Sequence, residues 1–236
     1  MHQRLKLENM KWNRILLSLS ILLQTLLVNA QIVVQEVPSK VSIGLTQSFD
    51  FGSRLSSADP SVTWMKNISD SIETPTFTSS SAVKLQYNLS EKISLRTGII
   101  YAQKGYQYKS GSLAGFDHYQ ENYALIEVPI QVLYKLGQKK NKPYVSLGTS
   151  AGYLIKSQAF YTLENSTKEV KMPLSSDLTK LQVNGILGLG MSFSLDQKWT
   201  LISEVNYTQA LFSISNGPLK KQLFTAGINL GLFRSF

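Results

Sequence analysis

The chain has 236 residues, a net charge of +9 and no cysteine. Its length suits one β-barrel or sandwich domain, and without cysteine it has no disulfide framework, thiolate metal site or thiol nucleophile. Charged residues make up only 17%, below the roughly 25% of soluble domains, and no basic helix or basic–aromatic stripe carries the excess charge, so we do not expect nucleic acid as a partner.

The N-terminal segment has the pattern of a secretory signal peptide. Two basic residues precede a mostly apolar run, 15–28, and small residues follow at the positions required for cleavage after Ala30. The run is shorter than the about 20 apolar residues of a transmembrane helix. We predict a cleaved signal peptide over 1–30 and a single exported domain over 31–236, with Met10 as an alternative translation start.

Beyond the leader, apolar and polar residues alternate in eight stretches, which is the period of β-strands. The predicted strands cover residues 40–51, 82–89, 93–102, 123–136, 143–155, 181–195, 199–208 and 222–236. We expect a bulge or local irregularity at Pro129, because proline cannot donate a ladder hydrogen bond.

The connections between these stretches alternate regularly between long and short. Gly52–Ser81, Gly105–Asn122 and Lys156–Lys180 are predicted long loops, and the turns between them are short. Transmembrane barrels show this alternation, with short periplasmic turns and long outer loops. The sequence therefore predicts an all-β fold, an eight-stranded antiparallel up-and-down transmembrane β-barrel, inserted in a bacterial outer membrane.

The two faces of each predicted strand differ in a way that suits lipid outside. One face is apolar with aromatic residues toward the strand ends, and the other is rich in Gly, Ser, Thr and Asn, as a narrow packed lumen requires. A soluble lipocalin-like ligand carrier is the alternative, and it needs the apolar faces turned inward. The last strand ends on Phe236, and we expect this residue to act as the insertion signal that the barrel-insertion machinery recognises.

Five charged residues fall on the predicted lumen face. They are Lys84, Arg96, Glu127, Lys135 and Glu204. An isolated charge in a low-dielectric lumen is costly, so we expect these side chains to pair. Two partners for Arg96 are open: Glu127, which is on an adjacent predicted strand, and Glu204, which we expect to face it across the lumen at a similar height. The network is interpreted as a plug that rigidifies the barrel, and a narrow channel is the alternative.

A catalytic role would depend on His118, the one histidine downstream of the leader. A lipid-modifying enzyme would need it aligned with a serine such as Ser110 or Ser112. A solvated loop histidine is the simpler interpretation, and we predict no enzymatic activity. One histidine and no cysteine also argue against a metal site, and no cofactor is expected.

The strand-four sequence Ile126–Ile130, the strand-five opening Lys142–Val145 and the Gly-rich sixth strand resemble the PorT-like outer-membrane β-barrel proteins of Bacteroidetes-type Gram-negative bacteria. The resemblance implies an outer-membrane barrel in contact with lipid. Most members of that family have no defined activity, and its founding member is associated with type IX secretion. The leading hypothesis is a non-enzymatic structural or partner-binding protein of the cell envelope, whose long loops contact envelope or secretion-complex proteins.

Overall fold

The computed structural model describes residues 40–109, 116–137, 141–163, 168–174 and 178–236. The predicted signal peptide, 1–30, lies outside the described residues and stays a prediction. No helix within the described part of the chain is both long and apolar enough to span a membrane.

The described residues form ten β-strands and one α-helix. The strands are β1 (Val41–Ala58), β2 (Glu73–Thr74), β3 (Thr76–Asn88), β4 (Ile93–Tyr108), β5 (Phe116–Lys135), β6 (Asn141–Leu163), β7 (Glu169–Pro173), β8 (Leu181–Ser194), β9 (Trp199–Ala210) and β10 (Leu219–Ser235). The helix α1 (Thr63–Ile72) follows a 3-10 turn (Pro60–Val62) and connects β1 to β2.

Eight of these strands close into a ring. Hydrogen-bonded neighbours run in the order β4, β3, β1, β10, β9, β8, β6, β5, and β5 pairs back with β4. Every pairing is antiparallel, and the last strand closes the barrel against the first, with Phe49 opposite Ile228. The two short strands extend the wall at its loop-side end, where β2 pairs with β4 and β7 pairs with β6. The predicted eight-stranded antiparallel barrel is confirmed.

The strands extend much further than the sequence predicted. The loop predictions for Gly52–Ser81, Gly105–Asn122 and Lys156–Lys180 are wrong over much of their length, because β1, β3, β4, β5, β6 and β7 enter them and α1 lies in the first. The apolar alternation stops where the outward side chains leave the lipid, whereas backbone pairing continues among polar residues. The turns around residues 89–92 and 195–198 are short, as predicted.

The irregularity expected at Pro129 is present in the β4–β5 ladder. Pairing skips two positions on each strand there and resumes in unchanged register. Gly98 lies in this gap with a φ of 156°, and a Cβ on it would lie 2.2 Å from the carbonyl oxygen of Val83. The register shifts of β5 against β6 instead fall between Phe116 and His118 and between Ala124 and Leu125.

The barrel is apolar outside and polar inside. Leu45, Leu147 and Val205 are 67%, 65% and 62% exposed on the outer wall. Asp50 and Glu204 are each only 2% exposed in the interior. This distribution is the reverse of a soluble protein and suits a wall surrounded by lipid. The soluble lipocalin-like alternative is therefore wrong.

Two rows of outward aromatic side chains bound the apolar belt, the part of the outer wall that faces hydrocarbon. The turn-side row is Tyr87, Tyr134, Trp199 and Phe236, and the loop-side row is Phe77, Tyr101, Tyr153 and Tyr207. Beyond the loop-side row the outward positions become polar, as at Gln103 and Gln209. The membrane-spanning segments lie between the two rows, since aromatic residues prefer the membrane–water interfaces.

The lumen is filled with side chains. Leu133, Tyr144 and Phe233 are buried near the turn-side end. Near the loop-side end an apolar cluster is formed by Tyr106, Tyr123, Leu125, Leu154, Ile214 and Leu223. Small residues make room for the rings: a Cβ on Gly44 would lie 2.5 Å from the Cγ atom of Phe233. The charged residues at the centre of the lumen lie between these two layers.

Candidate functional site in the lumen and at its loop-side rim

The centre of the lumen holds three basic and three acidic side chains. They are Asp50, Lys84, Arg96, Lys104, Glu127 and Glu204, and each is at most 6% exposed. We call them the lumen charge network. Each of them lies on the inward-facing side of its strand, because successive side chains of a β-strand point to opposite faces. Equal numbers of opposite charges offset much of the cost of removing them from water.

Arg96 and Glu204 form an ion pair across the barrel. Their strands, β4 and β9, lie on opposite walls, with three strands between them in either direction around the ring. Arg96 Nη1 lies 3.1 Å from Glu204 Oε2, and its Nε and Nη2 both donate to Gln86 Oε1, at 3.2 and 3.0 Å. The guanidinium also lies 5.4 Å from the ring centres of Tyr144 and Phe233. This arrangement ties the two walls together.

A second pair joins Lys104 of β4 to Glu127 of β5, with 2.7 Å between Nζ and Oε1. Ser150 donates to the other carboxylate oxygen of Glu127 at 2.9 Å. Asn184 donates to Ser150 at 2.9 Å and accepts from Lys104 at 3.1 Å. The four side chains therefore form a closed ring of polar contacts across β4, β5, β6 and β8.

The remaining two members, Lys84 and Asp50, have polar partners of their own. The side-chain amide of Asn229 is oriented so that its nitrogen donates to the backbone oxygen of Gln47, and its oxygen then accepts from Lys84 Nζ at 3.1 Å. Ser48 donates to Asp50 at 2.7 Å. A cavity of about 50 Å³ lies among these residues, which is room for a few water molecules.

Lys135 is separate from the network, although the sequence grouped it with the other four. It is half-buried at the end of β5 on the turn side, and its Nζ donates to Asn88 Oδ1 at 3.0 Å. Lys104 and Asp50, in contrast, were missing from the predicted set. The predicted third strand ended at Ala102, two residues before Lys104, and this excluded the lysine.

Beyond the apolar belt, a second polar cluster forms the loop-side rim. Arg54 Nε lies 2.6 Å from Glu73 Oε2 of β2, and its Nη2 donates to Ser69 of α1. Arg54 Nη1 donates to the hydroxyl of Tyr106 at 3.0 Å. Burial raises the pKa of Glu73 above its usual value despite the nearby guanidinium. One buried arginine thus attaches both α1 and β2 to the barrel wall.

The same rim continues around Glu121, five positions beyond the loop-side aromatic row along the β4–β5 ladder. Lys221 Nζ lies 3.2 Å from Glu121 Oε2 and donates to Tyr106 at 2.8 Å. Tyr119 donates to Glu121 at 3.1 Å, and Tyr123 donates to its other oxygen. Burial alone would raise the pKa of Glu121, but Lys221 and the phenol hydrogen bonds outweigh it and hold the pKa below its usual value.

The residues of the enzyme alternative can be located only in part. His118 is half-buried on β5, opposite Thr162. Ser110 and Ser112 lie outside the described residues. The described part of the chain contains no group of three or more His, Cys, Asp or Glu residues placed to hold a metal ion.

The last predicted site residue, Phe236, lies at the turn-side end of the outer wall and is 67% exposed. The guanidinium of Arg234 lies 5.4 Å from its ring centre and 5.8 Å from that of Trp199. An arginine between two aromatic rings is compatible with the membrane interface, where its charge reaches water. The one charged residue on the apolar face of β10 therefore fits its position.

A closed ring of eight strands with a lipid-facing exterior and a packed polar interior defines a transmembrane β-barrel. Residues 29–216 match the family model described as "Outer membrane protein beta-barrel domain". The chain belongs to this family and is a protein of the outer membrane, in contact with its lipid.

Comparison with solved structures finds several outer-membrane barrels. Neisserial surface protein A shares 13% identity over 83% of this chain and 97% of its own, with a TM-score of 0.48. OprG from Pseudomonas aeruginosa shares 13% identity over 86% of this chain and 99% of its own, also with a TM-score of 0.48. A major outer membrane protein from Thermus thermophilus shares 12% identity over 84% of this chain and 99% of its own, with a TM-score of 0.47. No curated protein sequence matches significantly.

Proposed function

We propose that this protein is a non-enzymatic, non-conducting barrel that presents a binding surface at its loop-side end to other proteins of the cell envelope. The observation that carries the proposal is the lumen charge network. An eight-stranded barrel has an interior just wide enough for side chains to fill, and here paired charges fill it and leave about 50 Å³. The lumen is thus used as a structural core.

The narrow-channel alternative requires a continuous path through these contacts. An ion entering from the turn side meets Tyr144 and Phe233, both 2% exposed, and then the Arg96–Glu204 pair that connects opposite walls. Passage would break that pair in a low-dielectric interior, where an unpaired charge is costly. The packing therefore favours a sealed barrel.

We expect the purified protein to produce no stepwise conductance in planar lipid bilayers. Heat-dependent gel mobility of the protein recovered from the bilayer lipid shows whether the barrel has inserted and folded under the assay conditions. Regular single-channel steps from the wild-type protein would contradict the sealed lumen and favour the channel.

The loop-side surface supports a binding role. On α1, Trp64, Met65 and Ile68 are 62%, 42% and 54% exposed, and the helix is held to the wall through Ser69 and Arg54. Exposed aromatic and aliphatic side chains on a fixed element are the kind of surface that proteins bind. We propose envelope or secretion-complex proteins as its partners, in line with the resemblance to the PorT-like proteins.

The proposal assigns no catalytic role to His118 and no cofactor to the barrel. We also propose that the chain consists of a signal peptide over 1–30 and a barrel domain over 31–236, as predicted from the sequence. Phe236 is proposed as the residue through which the insertion machinery recognises the last strand.

A further inference from the structure

A groove of about 220 Å³ lies on the outer wall at the loop side, where β4, β5, β6 and β7 come together. The groove is outside the lumen and separate from the lumen charge network. Its lining combines two lysines, three aromatic residues and three amide side chains. The side chains that give it this character include Tyr101, Gln103, Lys156, Gln158, Phe160 and Lys171.

A β-bulge in β6 places Lys156 on the outer wall, where it lines the groove. Leu125 of β5 pairs with Leu154 of β6, but Ala124 pairs with Lys156, so Ile155 is an extra residue in β6. An extra residue reverses which side chains point outward beyond it. Lys156, like Ile155 before it, is exposed on the outer wall, whereas Ala159 is fully buried.

The groove lies at the height of lipid headgroups. Tyr101 belongs to the loop-side aromatic row, and Gln103 is the next outward position on β4 beyond it. Lys156 is paired with Ala124, two positions beyond the Ile126 that lies opposite Tyr101. Lysines just outside the hydrocarbon extend their ammonium groups into the headgroup layer.

The positive charge of the groove is not neutralised by the described residues. Neither Lys156 nor Lys171 forms an ion pair within them, and the acidic Glu169 on β7 is not among the lining residues. Lys171 is held in place, because it pairs directly with Phe160 and its Nζ lies 5.1 Å from the centre of that ring. Two ammonium groups that line one groove and have no ion-pair partner among the described residues are suited to a bound anion.

We propose that this groove binds the phosphorylated headgroup of an outer-leaflet lipid. Lys156 and Lys171 contact the phosphate, and the amides of Gln103 and Gln158 donate to its oxygens. The acyl chains remain in the hydrocarbon beside Tyr101. The volume is below the about 300–1,000 Å³ of pockets that enclose whole small molecules, and this agrees with a site that holds only a headgroup.

The test is native mass spectrometry of the purified full-length protein in detergent, titrated with diphosphoryl lipid A, monophosphoryl lipid A or inorganic pyrophosphate. We expect saturable binding of the diphosphoryl lipid. The double variant Lys156→Gln with Lys171→Gln is expected to bind it about thirtyfold more weakly, since each of the two lysines contributes about 1 kcal/mol near an anionic headgroup.

The matched control is Lys92→Gln with Lys180→Gln, which removes the same charge at two exposed positions outside the groove. It is expected to bind like the wild-type protein. Heat-dependent gel mobility establishes that each variant is folded. Because β7 lies outside the ring of eight strands, the single variant Lys171→Gln provides the test if the double variant fails to fold.

Three results would overturn the proposal. Equal lipid binding by the groove and control variants would show that net charge, not the groove, attracts the lipid. Binding of inorganic pyrophosphate as tight as that of the lipid would indicate a site for soluble anions. A dimer that the groove substitutions dissociate would show that a second copy of the chain occupies the groove.

Discussion

Arg96 connects opposite walls of the lumen. It is 1% exposed, donates to Gln86 and pairs with Glu204 on the opposite wall. Replacing Arg96 by alanine leaves the carboxylate of Glu204 buried without its partner. Breaking one half of a buried pair costs about 3–5 kcal/mol, so we expect a loss of that order in the free energy of unfolding.

Urea unfolding of the barrel in lipid vesicles, followed by gel mobility, measures this loss. Lys66→Ala is the matched control, because its pair with Asp70 is on an exposed helix surface and is worth about 0.5 kcal/mol or less. The double variant Arg96→Met with Glu204→Leu is expected to lose less than Arg96→Ala, since no buried charge is left alone. An Arg96→Ala variant as stable as Lys66→Ala would contradict the structural role of the pair.

Single residues show what a sequence can and cannot predict about this lumen. The alternation assigns a face to every strand residue, because successive side chains point to opposite sides. It does not assign partners: Glu127 pairs with Lys104, and the sequence suggested Arg96. The partner that a charged side chain finds depends on its position along the barrel axis relative to residues of other strands, which the register sets. It also depends on how far the side chain extends across the lumen. Neither quantity is contained in a single strand.

At the scale of elements, β10 holds the ring closed between β1 and β9. We propose that its terminal Phe236 is recognised before closure, and that Phe236→Ala therefore lowers the amount of heat-modifiable barrel in the outer membrane several-fold. Phe212→Ala is the control, since Phe212 is similarly exposed, at 62% against 67%, but lies outside the strands.

The same two variants refolded from urea into lipid vesicles separate recognition from stability. Phe236→Ala is expected to refold like the wild-type protein in the absence of the insertion machinery. If it fails in both settings, the residue is needed for the stability of the barrel and the recognition role is wrong. If it assembles normally in cells, the terminal signal lies elsewhere.

The helix α1 illustrates why the loop-side elements were missed. Its apolar residues Trp64, Met65, Ile68 and Ile72 follow helical spacing, and Pro60 opens the turn before it. These signals are present in the sequence, but a Ser- and Thr-rich segment between two strands of a barrel is also typical of a loop. The contacts of Arg54 with Glu73 and Ser69, which fix the helix, join residues 15 to 19 positions apart and follow no local pattern.

At the scale of the whole molecule, the alternation of long and short connections was the most informative feature. It predicted an even number of strands with both ends of the barrel domain on the turn side, and the structure closes β1 against β10 in that arrangement. The alternation survives the extension of the strands because the added residues lie at the loop-side end, apart from the two that begin β6 at Asn141 and leave the turn before it short. Overall topology was therefore predictable even where element boundaries were not.

This architecture requires export of the chain, because a barrel with its apolar side outward must reach the outer membrane. We predict that the protein extracted from outer membranes has the intact mass of a chain beginning at Gln31, since Val28 and Ala30 are small residues at the positions required for cleavage there. Ala30→Leu is expected to retain the leader and to lower the amount of assembled barrel. A version starting at Met10 serves as the control and should give the same mature mass. A mature protein that retains residues before Gln31 would contradict the division into leader and barrel domain.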